Sequence, residues 1–152
     1  KNITPASLPA VSKGLTIKRH RERNLAARFV ESLRIRVSSL EQSVVNLSGG
    51  NQQKVMLAKW LAVSPRVMIM DEPTRGIDVG AKGEIYKIMD ELAGQGKIII
   101  MISSDNPELL SICDRVGVMY HGRLARILEG GELTEENILR HAMGVGEGEG
   151  SK

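Results

Sequence analysis

Apolar positions recur along this chain with two alternating periods. From about Glu22, the residues Leu25, Phe29 and Leu33 return at helical spacing while Arg21, Arg23, Arg28 and Glu31 occupy other faces, which predicts an amphipathic helix. A loop through Ser38 and Ser39 leads to Ser48-Gly49-Gly50. There a second helix is expected, apolar almost all round through Val55, Met56, Leu57, Ala58, Trp60 and Leu61, and therefore central and buried, with Trp60 as core. Ser64-Pro65 stops it. Val67 to Met70 is a short apolar run without alternation, the pattern of a strand covered on both faces, and Lys97 to Ile102 repeats that pattern. Between them Ile85, Ile88, Met89 and Leu92 form a helical stripe that Gly94 and Gly96 close. Asn106-Pro107 resembles a cap and first turn of a helix reaching about Cys113. A third apolar segment at Arg115 to Tyr120 turns at His121-Gly122 into Arg123 to Leu128, and a last helix runs from about Thr134 to Met143. Residues 1 to 19, with Pro5, Pro9 and Gly14, are expected to be irregular, and Gly144 to Lys152 reads as a flexible tail.

Strands alternating with helices argue for an α/β fold with a mainly parallel sheet, whose ligands gather beyond the carboxyl ends of the strands. Asp71-Glu72 stand at one such end and Ser103-Ser104 at another. A chain of 152 residues is one domain or a large piece of one, with apolar content sufficient for a core. The longest apolar run, around Ile98 to Ile102, is too short to span a bilayer, and no signal-peptide layout opens the chain, so a soluble product is expected. Cys113 stands alone and reads as a core or half-buried thiol. The net charge of +3 is concentrated in Lys18 to Arg23, read as a solvated helix entry. One Trp, two Tyr and one Phe cannot build a base-stacking platform, so no nucleic-acid partner is expected.

The candidate chemistry begins at Leu47-Ser48-Gly49-Gly50-Asn51-Gln52-Gln53-Lys54, followed seventeen residues later by Asp71-Glu72. Where a loop opens into a helix, free amides, a hydroxyl and the positive helix end converge, and such a point suits a phosphate. Alone it is too weak to hold a triphosphate against water. A phosphate loop of the form G-x-x-x-x-G-K-[ST] would supply the remainder. None occurs in these residues; the nearest miss, Gly76 to Lys82, has Ala81 and Gly83 at the wrong positions and reads as a turn entering a helix.

LSGGNQQK, VMIMDEPTRGID and MISSDNPELL, in that order and spacing over residues 47 to 120, resemble the ATP-binding cassette ATPases of membrane transporters. The NQQK ending, DEPTRGIDVGAK and the serine pair are similar to the second cassette of tandem-cassette bacterial sugar importers. The resemblance implies a partial P-loop NTPase core with part of the helical signature subdomain. Residues 1–63 would be the helical and signature portion, 64–143 part of the ATPase core, and 144–152 the tail. It implies ATP and Mg2+ as cofactors in the intact protein, with Asp71 holding magnesium through water and Glu72 positioning the attacking water; Pro73 would keep Glu72 extended. Ser48, Gly49, Gly50 and Gln52 would contact nucleotide, Lys54 being either a further contact or a solvated helix position. Asp78, otherwise a turn carboxylate, would touch the other cassette. Ser104 stands where most cassettes carry histidine, which weakens the catalytic site because serine carries no positive charge. The implied partners are a second cassette and the transporter's membrane subunits, at the cytoplasmic face of the bacterial membrane. The implied function is coupling ATP hydrolysis to uptake of a monosaccharide, the segment alone being inactive without a phosphate loop and its sheet left with an open hydrophobic slot. The alternative is a non-hydrolysing regulatory or binding module that lends its signature surface to a complete cassette.

Overall fold

The computed structural model describes residues 3, 12–13, 16–17 and 19–145 of the chain. It forms two compact units, Lys1–Ile102 and Ser103–Lys152. The fold is mixed α/β and includes one parallel strand pair.

In the first unit, β1 (Ser12–Lys13) pairs antiparallel with β2 (Thr16–Ile17), where the sequence led us to expect no regular element. Strands of two residues are too short to show a period. Helix α1 (Arg19–Ser32) starts three residues before Glu22, because its first turn is charged and carries no apolar signal. Helix α2 (Gly49–Leu61) follows a single 3-10 turn at Val44–Asn46. Strand β3 (Val67–Asp71), helix α3 (Val79–Gly94) and strand β4 (Ile98–Ile102) form a β-α-β unit with β3 and β4 parallel, Val67 opposite Ile98 and Asp71 opposite Ile102. The core gathers Leu57, Ala58, Leu61, Met68, Met70, Ile85, Met89 and Leu92, with Ala58 and Ile85 wholly inaccessible.

Both strands were expected to be covered on two faces, and they are not. Burial along β3 alternates, so Met68 and Met70 are covered while Val67 and Ile69 are exposed, Ile69 to 70%. Ile98, Ile100 and Ile102 of β4 are exposed as well. Trp60 and Met56 on α2 share this situation: Trp60, expected as core, is 51% exposed and borders an open apolar groove of about 440 Å³ with Met56, Val63, Val67 and Ile69. The all-round apolar character of α2 therefore records a helix that has a packed stripe and an uncovered apolar side.

A second correction concerns Lys54, read as a nucleotide contact or a solvated position. It is 3% exposed, and its Nζ donates to Glu84 Oε2 of α3 at 2.6 Å and to the carbonyl of Arg34 at 3.2 Å. Gly50, Lys54, Leu57, Ala58 and Leu61 make one buried stripe, so the lysine crosses the α2–α3 interface and takes its charge partner there.

In the second unit, α4 (Asn106–Ile112) is capped by Asp105, whose carboxylate accepts from the Glu108 amide at 3.2 Å, so Pro107 lies inside the first turn and the cap is one residue earlier than expected. Strands β5 (Arg115–Tyr120) and β6 (Arg123–Glu129) form a hairpin through His121-Gly122, both at positive φ (46° and 76°), as a tight two-residue turn demands. Helix α5 (Glu135–Ala142) has Thr134 as N-cap, with acidic residues in its first turn and basic ones in its last. Val116, Val118, Leu128 and Ile138 form this unit's core. Cys113 is half-buried, and burial, aided by Asp114 and Glu108, holds its thiol pKa above the usual range. Of the expected tail, residues 146–152 lie outside the described residues. Among the described residues no helix is long and apolar enough to cross a membrane.

Glu84 titrates below the ordinary carboxylate range because of the Lys54 hydrogen bond first and its charge second. A depressed carboxylate adds stability above its unfolded pKa and loses it as pH falls through the folded value. Glu84→Gln should therefore cost about 1–3 kcal/mol at neutral pH, the half-exposed carboxylate keeping the loss at this level through solvent screening. Thermal unfolding of wild type and variant across a pH series checks this, and the gap should close in acid below the carboxylate range.

Candidate functional site

The first turn of α2 is built to leave donors unspent. Ser48 is its N-cap, with extended backbone (φ −61°, ψ 154°), and makes no side-chain capping bond. The first helical hydrogen bond runs from Gln52 N to Ser48 O at 2.9 Å, so the amides of Gly49, Gly50 and Asn51 have no intrahelical carbonyl. Ser48 and Gly49 are exposed. The donor set of hydroxyl, amides and helix end therefore fits a phosphate group by its chemistry.

Gly50 is buried and has a packing reason to be glycine. A Cβ there would stand 2.5 Å from Ala81 Cβ on α3, closer than two carbons approach. A Cβ on Gly49 would meet Ile77 Cγ2 at 3.2 Å. The signature turn is thus pressed against the turn that opens α3. In that turn Gly76 takes φ 76°, and Asp78 caps α3 by accepting from the Ala81 amide at 2.9 Å. The near-miss of a phosphate loop at Gly76 to Lys82 is an ordinary helix entry. Gln52, exposed, donates to Leu47 O at 2.9 Å and so closes the loop that leads into α2.

Asp71 ends β3 and is exposed there. Glu72 was expected to be extended before Pro73; it lies instead at φ 46°. Proline excludes the right-handed helical region for its predecessor, and the left-handed region meets that exclusion while letting the chain turn sharply: Glu72 N donates to Ile102 O at 2.8 Å and Glu72 O accepts from Arg75 N at 3.2 Å. A non-glycine residue held there costs on the order of 1–3 kcal/mol, an expense that concentrates at functional sites. Gln53 of α2 donates to Pro73 O at 2.5 Å, which ties the signature helix to this turn.

Ser104 follows β4 in the second unit and is exposed; its neighbour Ser103 donates to the buried carboxylate of Glu108 at 2.5 Å. Among the described residues no three or more His, Cys, Asp or Glu cluster to hold a metal alone. Magnesium commonly takes one or two carboxylates and completes its shell with water and phosphate oxygens, and the exposed strand-end Asp71 offers that chemistry. The first unit therefore brings Ser48, Gly49, Gly50, Gln52 and Asp78 onto adjoining turns, and Gln53 links them to Glu72. Sequence reasoning missed Asn51, Gln53, Arg36 and Glu84. The spacing Gly50–Lys54–Ala58–Leu61 carried the one available signal, a charge on the packed stripe.

The chain is similar in sequence and in fold to known proteins. The ABC transporter family model matches residues 4–75. A ribose import ATP-binding protein of Roseobacter denitrificans is 49% identical over 145 residues, covering 95% of this chain and 28% of that protein. One from Halalkalibacterium halodurans is 48% identical over 143 residues, covering 94% and 29%. A solved nucleotide-free ATP-binding cassette from an ABC transporter matches with TM-score 0.74 at 23% identity, over 91% of this chain and 57% of that one. The ADP conformation of another cassette matches with TM-score 0.70 at 22% identity, over 93% and 57%. At these identities the solved structures speak for fold alone. In sequence the chain is homologous to the ATPase domains of the ABC transporter family, and it carries their P-loop NTPase fold. Within that family, the chain is homologous to the ribose import ATP-binding proteins, of whose length it spans between a quarter and a third.

The Gly50–Ala81 contact predicts a specific rescue. Gly50→Ala should destabilise the protein by about 1–3 kcal/mol through overpacking. Ala81→Gly in the same chain should recover most of that loss, read as the midpoint of chemical unfolding.

Proposed function

We propose that this chain is a segment of the ATP-binding subunit of a bacterial monosaccharide importer, corresponding to its second cassette. Residues 1–63 form the helical and signature portion and 64–143 part of the ATPase core. The observation that carries the reading is the joining of two helix entries, Ser48's and Asp78's, into one exposed surface by the Gly49–Ile77 and Gly50–Ala81 approaches. A surface with unspent amides and a hydroxyl beside a carboxylate is suited to meet nucleotide phosphates on one part and a second protein on the other. The similar proteins are ribose import ATP-binding proteins, which supports the substrate class.

In the intact protein Ser48, Gly49, Gly50 and Gln52 face the nucleotide held by the other cassette, and Asp78 contacts that cassette. Asp71 holds the magnesium hydration shell and Glu72 orients the attacking water in the cassette's own site. Magnesium, when bound, neutralises charge on the phosphates. Ser104 stands at the position in the sequence where most cassettes carry histidine, and because serine carries no positive charge the cassette's own site is the slower of two. With no phosphate loop among its 152 residues, the segment alone is inactive. The subunit works from the cytoplasmic face of the membrane, peripheral to the membrane subunits it drives.

Ser48→Arg in the intact transporter should abolish uptake into vesicles while nucleotide binding stays near wild type, because a long cation at the helix entry obstructs closure. Normal uptake would remove Ser48 from the site. A second expectation concerns Ser104. One preorganised contact to developing charge is worth roughly a hundredfold in rate, so Ser104→His should raise turnover at the Glu72 site, measured in a background whose other catalytic glutamate is removed. Turnover there already equal to that of the other site, and indifferent to Ser104→Ala, would defeat the asymmetric reading.

A further inference from the structure

Ser48 takes part in a side-chain relay whose polarity is fixed by a backbone amide. Asn51, one turn into α2, accepts from Arg36 N–H through Oδ1 at 2.8 Å and donates through Nδ2 to Ser48 Oγ at 2.8 Å. The Arg36 amide can only donate, so the carboxamide oxygen must face it, and the amide nitrogen must then face Ser48. Ser48 Oγ is thereby an acceptor within the protein. Its own proton is not spent on this bond, nor does its side chain cap the helix. The segment that supplies the Arg36 amide is itself held: Arg34, at φ 51°, accepts from Lys54 Nζ through its carbonyl at 3.2 Å, and the Arg36 guanidinium lies 3.8 Å from Glu84 Oε1. Lys54 therefore holds the segment at Arg34, the Arg36 amide orients the Asn51 carboxamide, and Asn51 sets the role of Ser48.

We propose that Asn51 is a positioning residue that commits the Ser48 hydroxyl to donation, presenting its proton to a phosphate oxygen of the nucleotide. This rests on the functional reading above. The phosphate oxygens of a nucleotide accept hydrogen bonds and offer none, so a serine held as an internal acceptor is matched to them, whereas a serine whose proton pointed inward would present lone pairs to an anion.

Asn51→Asp separates orientation from structure. The carboxylate still accepts from Arg36 N–H, but it also accepts the Ser48 proton and turns it inward. An acidic residue in the first turn favours the helix, so thermal stability should hold or rise while ATPase turnover of the intact protein falls roughly tenfold or more. A purely structural role would leave turnover in step with stability. Asn51→Ala, which adds no charge, gives the second arm through a double-mutant cycle with Ser48→Ala: its loss of kcat should be severalfold in the wild-type background and absent when Ser48 is already alanine. If Ser48→Ala lowers turnover but both Asn51 variants turn over at the wild-type rate, or Asn51→Ala is as harmful without the hydroxyl as with it, the orienting role is overturned and the functional reading stands. If Ser48→Ala itself changes nothing, the functional reading falls and takes this inference with it.

Discussion

The close approach of α2 and α3 at Gly50 and Ala81 is the constraint on which the site depends. Two helices can bring their entries this near only where one residue lacks a side chain and the other has the smallest one. The approach sets the Ser48 and Asp78 turns side by side, and it also creates the interface that Lys54 must cross. Once the lysine is buried there, removing it from water is offset only by a close carboxylate and a carbonyl, which Glu84 and Arg34 provide. Packing and electrostatics thus select the same helix geometry.

That geometry extends in two directions. Toward the strand end, Gln53 reaches Pro73, so the turn holding Glu72 in a left-handed conformation is anchored by the signature helix as well as by Ile102. Toward α1, the chain leaving Ser32 is gripped at Arg34 and Arg36, and through Asn51 its backbone decides how Ser48 uses its hydroxyl. The candidate phosphate contact and the candidate acidic pair are consequently parts of one braced assembly within the first unit. The apolar side of β3 and β4 stands apart from this bracing: Met68 and Met70 lie on the packed side, while Val67, Ile69 and Trp60 remain accessible.

Much of this is legible in the amino-acid sequence itself. The helical stripe Ile85, Ile88, Met89 and Leu92, the hairpin at His121-Gly122, the last helix and the strand-end position of Asp71 all follow from local periodicity and turn chemistry, because each depends on residues close in sequence. The motifs at residues 47 to 54 and 71 to 78 likewise carry their phosphate and carboxylate chemistry in the residue types themselves. Tertiary structure alone decided which apolar faces are covered, since an uninterrupted run such as Val67 to Met70 reads the same whether one face or two are packed. It also decided that Lys54 is buried, that Glu72 turns left-handed because its amide completes a bond to Ile102, and that Gly50 is small for the sake of Ala81. Those outcomes are set by partners thirty residues away along the chain, and a distance of that kind leaves no period for a sequence to show.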